Sequence, residues 1–403
     1  MKRILSIMLC SMMFVLQLMP ATYSKAQKSE NEVLNLTSAS YVLMEGSTGK
    51  LLCEKNKDKE LMPASITKIM TLLLIFEELD KGKITMGDTV TVSEYAASMG
   101  GSQVYLESGE TQNVEDMIKC ITIASANDAC VAMSEFIAGT EEEFVNRMNQ
   151  RAKELGMEHT KFMNCCGLDD TLTEGQHYST AYDIALMSRE LIVNHKEIQK
   201  YTTTWMDEIT HVTKKGESVF GLTNTNKLVR TYQGITGLKT GSTSKAKYCL
   251  SATANRNGMD LIAVVMAAPM PLTRFVEAAK LLDYGFANCT VYQDENKDFV
   301  EQSIVVKKGT KENVGVEAEK PFSYIFTNGE NLDKIEKKVQ WKEQVEAPIK
   351  KGEKVGEIIY NYEGEKLGVI DLLASEDISK AGYMDYLKKI LGQYFVIKSG
   401  ENT

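Results

Sequence analysis

From Ile69 to Phe76 the chain reads Ile-Met-Thr-Leu-Leu-Leu-Ile-Phe, apolar at every position but one. A helix without a polar face must be buried on all sides, so this segment demands a domain large enough to surround it. The same helix must also accommodate a lysine, because Ser65-Ile66-Thr67-Lys68 opens the run directly after Pro63-Ala64. A helix over about residues 64–81 puts Ser65 in its first turn, where unpaired backbone N–H groups favour negative charge. Lys68, three residues on, shares a face with Ser65. Burial disfavours the charged form of an amine, and a neutral Lys68 is able to take the proton of the Ser65 hydroxyl. Taken alone, the segment leaves a second reading open, in which Ser65 caps a core helix and Lys68 reaches out to solvent.

Two later tripeptides bear on that choice. Ser125-Ala126-Asn127 follows the apolar run Met117 to Ala124 and precedes another predicted helix. A short turn between helices would push both polar side chains into a cleft. Ser125 would pass a proton between Lys68 and a leaving amine, and Asn127 would hold a substrate amide carbonyl. In isolation the tripeptide reads better as a helix cap. Lys239-Thr240-Gly241 ends a strand-like run. On an edge strand it would bind an extended peptide by strand addition. Lys239 would supply positive charge, Thr240 a hydroxyl for a carboxylate, and Gly241 room for close approach. The backbone N–H groups of Ser65 and Ser242 would then form an oxyanion hole. This segment too, alone, reads as a polar hairpin. The order decides the matter: Ser-x-x-Lys on a helix, Ser-x-Asn at a helix–helix turn, Lys-Thr-Gly on a strand.

The ordered set resembles the exported D-alanyl-D-alanine carboxypeptidases, the low-molecular-mass penicillin-binding proteins of peptidase family S11. The resemblance covers residues 37–395. It includes Pro63 to Thr71, Gly101-Ser102, Ser125 to Ala129, Gly167-Leu168-Asp169, Tyr178 to Asp183, Thr236 to Thr243, and Ala347-Pro348-Ile349-Lys350-Lys351-Gly352. It implies an α+β fold: a five-stranded antiparallel sheet flanked by helices, with an all-helical region between its second and third strands. A small all-β domain and an amphipathic helix on the outer face of the cytoplasmic membrane would follow. It implies that Ser65 is the acylated nucleophile, Lys68 its general base, and Ser125 with Asn127 the second catalytic element. Lys239, Thr240, Gly241 and Ser242 would bind the substrate's terminal region. Arg274, after Pro269-Met270-Pro271, resembles the family arginine that holds the terminal carboxylate. The implied substrate is a peptidoglycan stem peptide ending in D-Ala-D-Ala, with β-lactams as covalent inhibitors. Cys165-Cys166 departs from the family, which usually has proline, asparagine or small polar residues before Gly-Leu-Asp.

The rest of the chain fits an exported enzyme. Lys2 and Arg3, the apolar run Ile4 to Leu18, and Ser24-Lys25-Ala26 read as a signal peptide cut after Ala26. Loss of Lys2, Arg3 and Lys25 takes the formal charge from −9 to −12, which excludes a nucleic-acid-binding role. Cys120, Cys130 and Cys249 lie in apolar runs and read as small core residues. The four histidines are scattered, so neither a Ser-His-Asp triad nor a metal site is expected, and no cofactor is implied. Residues 41–53 read as a hairpin around Gly46 to Gly49. Helices are predicted over 114–124, 126–137, 141–155 and 180–194, three strands over 234–268, and a helix over 274–285. Composition shifts near Asn288. The expected domains are a catalytic one at 37–288, a β-domain at 289–376 and a membrane-anchoring helix at 379–395. The enzyme would then work on the outer face of the cytoplasmic membrane, in the cell-wall space.

Three other functions share the motifs: a β-lactamase, an endopeptidase on cross-linked peptides, and a non-enzymatic penicillin sensor. Glu142 to Asn146 resembles the Glu-x-x-Leu-Asn of class A β-lactamases but lies within a predicted amphipathic helix.

Overall fold

The computed structural model describes residues 34–170, 176–214, 216–299, 302–327 and 329–400, with side chains as far as 391. The expected signal peptide lies outside them. β1 (Ser40–Glu45) is buried at every residue and turns into β2 (Leu51–Lys55). The Glu45 carboxylate closes this turn by accepting from the backbone N–H and hydroxyl groups of Ser47 and Thr48. After the helical block come β3 (Ile235–Thr243), β4 (Lys247–Arg256) and β5 (Met259–Ala268). The five strands form one antiparallel sheet in the order β2-β1-β5-β4-β3, with β3 at the edge. The α+β architecture expected from the sequence is the one observed.

Between β2 and β3 lie α1 (Lys68–Asp80), α2 (Val114–Lys119), α3 (Asn127–Ala138), α4 (Glu141–Glu154) and α5 (Ala181–Asn194). α1 is buried without a break from Lys68 to Phe76, as its apolar run demands. Asn113, Thr140 and Thr180 cap α2, α4 and α5, each side chain accepting a backbone N–H three residues on. α6 (Thr273–Asn288) packs on β4 and β5, and α5 packs on β1 and β5. The buried face of α6 carries Phe275, Glu277, Ala278, Leu281 and Leu282.

The sequence reading departs from the structure in two places near the cleft. The single helix expected over 114–124 is α2 followed by a π-helical turn, Cys120–Ala124, which ends at Ser125 in the left-handed region, φ 62°. A hairpin of Met206–Thr213 and Gly216–Thr223 was not anticipated. Much of it is exposed, including Val212 and Val219, so it lacks the apolar–polar alternation that marks a half-buried strand.

After α6 the chain is β-rich. Thr290–Asp294 pairs with Phe322–Phe326. A second five-stranded sheet runs Ser303–Val305, Asn313–Ala318, Glu365–Ala374, Lys354–Tyr362, Ile335–Trp341 in spatial order. Its core includes Val314, Val316, Ile358 and Leu372, with the rings of Phe322 and Tyr360 stacked 3.8 Å apart. α7 (Tyr383–Gly400) closes the described chain.

Candidate active site

Ser65 sits in a 3-10 turn, Ala64–Thr67, that leads directly into α1. Lys68 is fully buried. Its Nζ donates to Ser65 Oγ at 3.1 Å, Asn127 Oδ1 at 2.6 Å and the Cys166 carbonyl at 2.8 Å. All three protons of an ammonium therefore have acceptors, the condition under which a lysine is tolerated in a core. The partners are not equivalent. The amide oxygen and the carbonyl can only accept, whereas the Ser65 hydroxyl can also donate. Loss of one proton leaves Lys68 with two N–H groups for the carbonyls and a lone pair aimed at the Ser65 O–H.

Asn127 is placed by the turn that precedes α3. Ser125 is left-handed and Ala126 extended, which buries Ser125 and Asn127 against the cleft. The loop at Gly101-Ser102 grips Asn127 from two sides. Its Nδ2 donates to Gly100 O at 2.7 Å, and its backbone N–H to Ser102 O at 2.7 Å. A Cβ on Gly101, whose φ is +76°, would lie 2.9 Å from that Nδ2. The neighbouring Asp128 carboxylate accepts the Val104 and Leu106 N–H groups and so holds the loop. Among the described residues Lys68 bonds Ser65, Asn127 and Cys166, so Ser125 enters by its place in the turn.

Lys239-Thr240-Gly241 lies in the middle of β3 rather than at its end, facing Ser251, Leu250 and Cys249 of β4. Lys239 is 1% exposed and donates to Thr240 O at 3.2 Å. Burial, then the nearby charges of Lys68 and Arg274, hold its ammonium well below the ordinary lysine value. The Thr240 hydroxyl donates to Thr225 Oγ1 at 2.6 Å. A Cβ on Gly241 would stand 2.7 Å from Pro63 O and 3.1 Å from Ile66 N, so the strand crosses the Ser65 turn where only glycine fits. Ser242 follows, exposed. Arg274, at the start of α6, donates through Nη1 to Gly241 O at 2.9 Å and Cys249 O at 3.3 Å. Its Nε is buried without a partner among the described residues.

Three contributors had no role assigned from the sequence. The Cys166 carbonyl is a backbone group and carries no side-chain signature. Gly167, at φ +85°, lets that loop pass the Ser65 turn, since a Cβ there would lie 1.9 Å from Ala64 O. Gly167-Leu168-Asp169 stood out as a motif but not for this reason. His177 is the third. Its Nδ1 accepts the Met163 N–H at 3.3 Å, so Nε2 carries the proton and donates to Thr67 Oγ1 at 3.0 Å. Burial lowers its pKa to about 4, so the ring is neutral near pH 7. Asp169 ties the same loop to the end of β3 by accepting the Thr243 hydroxyl at 2.5 Å. Glu142 is exposed on α4 and lines a surface cavity of about 580 Å³. Among the described residues no group of three or more His, Cys, Asp or Glu is arranged to hold a metal.

A serine and a buried lysine one helical turn apart, beside an edge strand carrying Lys-Thr-Gly, define the serine–lysine class of penicillin-recognising folds. Residues 25–270 match the family model of D-alanyl-D-alanine carboxypeptidase, and residues 288–380 that of the penicillin-binding protein 5 C-terminal domain. The chain is 43% identical to D-alanyl-D-alanine carboxypeptidase DacF of Bacillus subtilis, over 99% of this chain and 100% of that protein. Penicillin-binding protein 5 of Haemophilus influenzae superposes with a TM-score of 0.70 at 30% identity, covering 86% of this chain and 98% of that one. Penicillin-binding protein D2 of Listeria monocytogenes, solved in an ampicillin-bound form, gives 0.52 at 32% identity, covering 62% and 98%. The chain belongs to the D-alanyl-D-alanine carboxypeptidase family, peptidase S11.

Proposed function

We propose that this chain is a serine-type D-Ala-D-Ala carboxypeptidase that removes the terminal D-alanine of a peptidoglycan stem peptide through an ester on Ser65. The observation that carries the reading is the three-way grip on Lys68, of which only the Ser65 hydroxyl can reverse its hydrogen bond. The substrate strand adds to the free edge of β3. Its terminal carboxylate meets Lys239, the Thr240 hydroxyl and the Arg274 charge. Lys68 takes the Ser65 proton as Oγ attacks the penultimate D-alanine carbonyl. The oxyanion is met by the backbone N–H groups of Ser65 and Ser242. Collapse breaks the amide bond, and the departing D-alanine nitrogen receives a proton by way of Ser125 and Lys68. Asn127 positions both Lys68 and the peptide, and water then cleaves the ester. β-Lactams enter by the same attack and leave a penicilloyl ester on Ser65.

The reading assigns residues 37–288 to catalysis, 289–376 to a β-domain, and the exported chain to the outer side of the cytoplasmic membrane after cleavage at Ala26. α7 rests on that membrane. Tyr383, Met384, Ile390 and Leu391 leave apolar surface exposed along it, and among the described residues no helix is long and apolar enough to cross a bilayer. Removal of residues 379–403 should release the protein from vesicles and spare activity on a soluble peptide. Unchanged sedimentation with vesicles would refute the anchor.

Incubation with a peptide ending in D-Ala-D-Ala should release D-alanine, and Ser65→Ala should lower the rate on the order of 10³-fold or more. No release by the intact protein, or undiminished release by Ser65→Ala, overturns the assignment. Rapid steady-state hydrolysis of penicillin would indicate a β-lactamase instead.

A further inference from the structure

Three buried thiols meet behind Lys68. Cys130 lies three residues into α3 after Asn127, and Cys165 and Cys166 lie on the loop that ends at Gly167; all three are buried. The neighbouring Cys130 and Cys166 thiols add to the effect of burial in raising the Cys165 thiol, and Cys166 Sγ donates to Asn164 Oδ1 at 3.7 Å. Cys130 Sγ also donates to Cys165 O at 3.2 Å. What gives the cluster its leverage is the chain it sits on. The two strict acceptors of Lys68 are Asn127 Oδ1 and Cys166 O. One belongs to the helix of Cys130, the other to the loop of Cys165.

We propose that Cys130, Cys165 and Cys166 form a peroxide-oxidisable thiol site, in which a Cys130–Cys165 disulfide draws the Cys166 carbonyl away from Lys68 and slows acylation of Ser65. The effect on acylation rests on the acyl-enzyme reading above; the disulfide itself does not.

Cys166 reacts first. The neighbouring Cys165 thiol, then the Lys68 charge, bring its thiol down to about 7 against the opposing effect of burial. Burial, the largest influence on Cys165, holds that thiol well above the ordinary value. A thiolate at Cys166 attacks one oxygen of hydrogen peroxide: an S–O bond forms, the O–O bond breaks, and hydroxide leaves. Cys165 then attacks the sulfenic sulfur, gives up its proton, and water departs. The resulting Cys165–Cys166 disulfide closes a ring through a single peptide bond. Cys130 relieves it by thiol–disulfide exchange at the Cys165 sulfur, which forms the Cys130–Cys165 bond and returns Cys166 to the thiol. In sum two thiols lose two electrons and two protons, and one hydroperoxide becomes two waters. The burial of all three sulfurs selects a small oxidant over a protein disulfide.

The link has a geometric consequence. The Cys130 and Cys165 sulfurs must close to about 2.05 Å. The loop cannot follow freely, because Gly167 is pressed against Ala64 O and the Cys165 N–H is held by Glu141 Oε1 at 2.9 Å. Two peptide units lie between these anchors, and the first is held by the Thr71 hydroxyl, which donates to Cys165 O at 2.6 Å; closure therefore turns the second, which carries the Cys166 carbonyl.

The test treats the reduced full chain with hydrogen peroxide, blocks residual thiols with N-ethylmaleimide, and maps linked peptides by tandem mass spectrometry. Acylation by a fluorescent penicillin is followed in parallel. The expected result is a Cys130–Cys165 link, a tenfold or greater loss of acylation rate, and recovery with dithiothreitol. Cys130→Ser should acylate like the parent when reduced and, under peroxide, accumulate the Cys165–Cys166 link in place of the Cys130–Cys165 one. Consumption of these thiols without a Cys130–Cys165 link overturns the proposal, as does a linked protein that acylates at the reduced rate. If the reduced parent is not acylated at all, the acyl-enzyme reading fails, while the linkage map still decides the disulfide.

Discussion

Between Ser40 and Asn288 the interior holds Lys68, Lys239, Asp128, Asn127 and Glu277, each at most 3% exposed, whereas after Cys289 the polar side chain buried to that degree among the described residues is Asn296. The β-rich half keeps its charges at the surface in pairs such as Lys337–Asp294 and Lys354–Asp371. Its core is assembled from alternating apolar residues and the stacked Phe322 and Tyr360 rings. A buried polar group is costly unless it is satisfied. The first half meets that demand with backbone carbonyls and amides from irregular segments: the turn at Ala64, the left-handed Ser125, the loops at Gly101 and Gly167. Its chemistry is thus held by backbone that regular structure does not supply. The second half has only regular structure to maintain.

The contrast is broken most forcefully at Lys68. Lys68→Met removes the base and strips the donor from Asn127 Oδ1 and Cys166 O. Peptidase turnover should fall by about 10³-fold, measured as D-alanine release, and stability should drop as well. Next is a pair of glycines. Gly167→Ala drives a methyl into Ala64 O and should cost about 4 kcal/mol, from overpacking together with the left-handed penalty. Gly364→Ala has a similar φ, +87°, and open space around it, so urea denaturation should show about 1 kcal/mol. Equal losses would remove the distinction between the halves.

His177 makes the first half acid-sensitive. Its folded value of about 4 lies below the ordinary 6.5, so the unfolded chain takes up the proton first as pH falls. The stabilisation is whole above pH 6.5, shrinks from 6.5 to 4, and is gone below 4. It amounts to about 3 kcal/mol at about 1.4 kcal/mol per unit. Denaturation of wild type and His177→Gln across that window should show the slope in the first and its loss in the second. The smallest effect belongs to the β-rich half. Tyr360 OH lies 2.8 Å from Asp294 Oδ2 and 2.7 Å from Asn296 Oδ1, and Tyr360→Phe should cost about 1–2 kcal/mol. Penicillin acylation should not change, and a slowed reaction would show that the two halves are coupled.

The same division governs what could be read from the sequence. The sheet, the long helices and the change of character near Asn288 follow from apolar periodicity and turn residues. Ser65, Lys68 and Asn127 were legible as motifs, and the structure brings them into one hydrogen-bonded set. The grip on Lys68 was only half legible, because one of its two strict acceptors is a main-chain carbonyl, and any residue type has one. His177 escaped notice because its partner Thr67 is 110 positions away and nothing local distinguishes a bridging histidine from a scattered one. The π-turn before Ser125 was hidden by an apolar run that fits an α-helix equally well. The hairpin at 206–223 was missed because its buried face mixes His211 with Ile209, Phe220 and Leu222 while Val212 and Val219 face outward, so no clean apolar alternation remains.

α6 joins the two halves in a way that neither half suggests. Sixteen helical residues span about 24 Å. The first two turns hold the Gly241 carbonyl through Arg274 and the Thr37 and Ser38 amides through Glu277. The last turn runs into the opening strand of the β-rich half at Thr290. The connection is a stiff rod rather than a tether. The Arg274 guanidinium on the edge strand and the first strand of the β-rich half are thus fixed to the two ends of one helix, with a single residue, Cys289, between the helix and that strand.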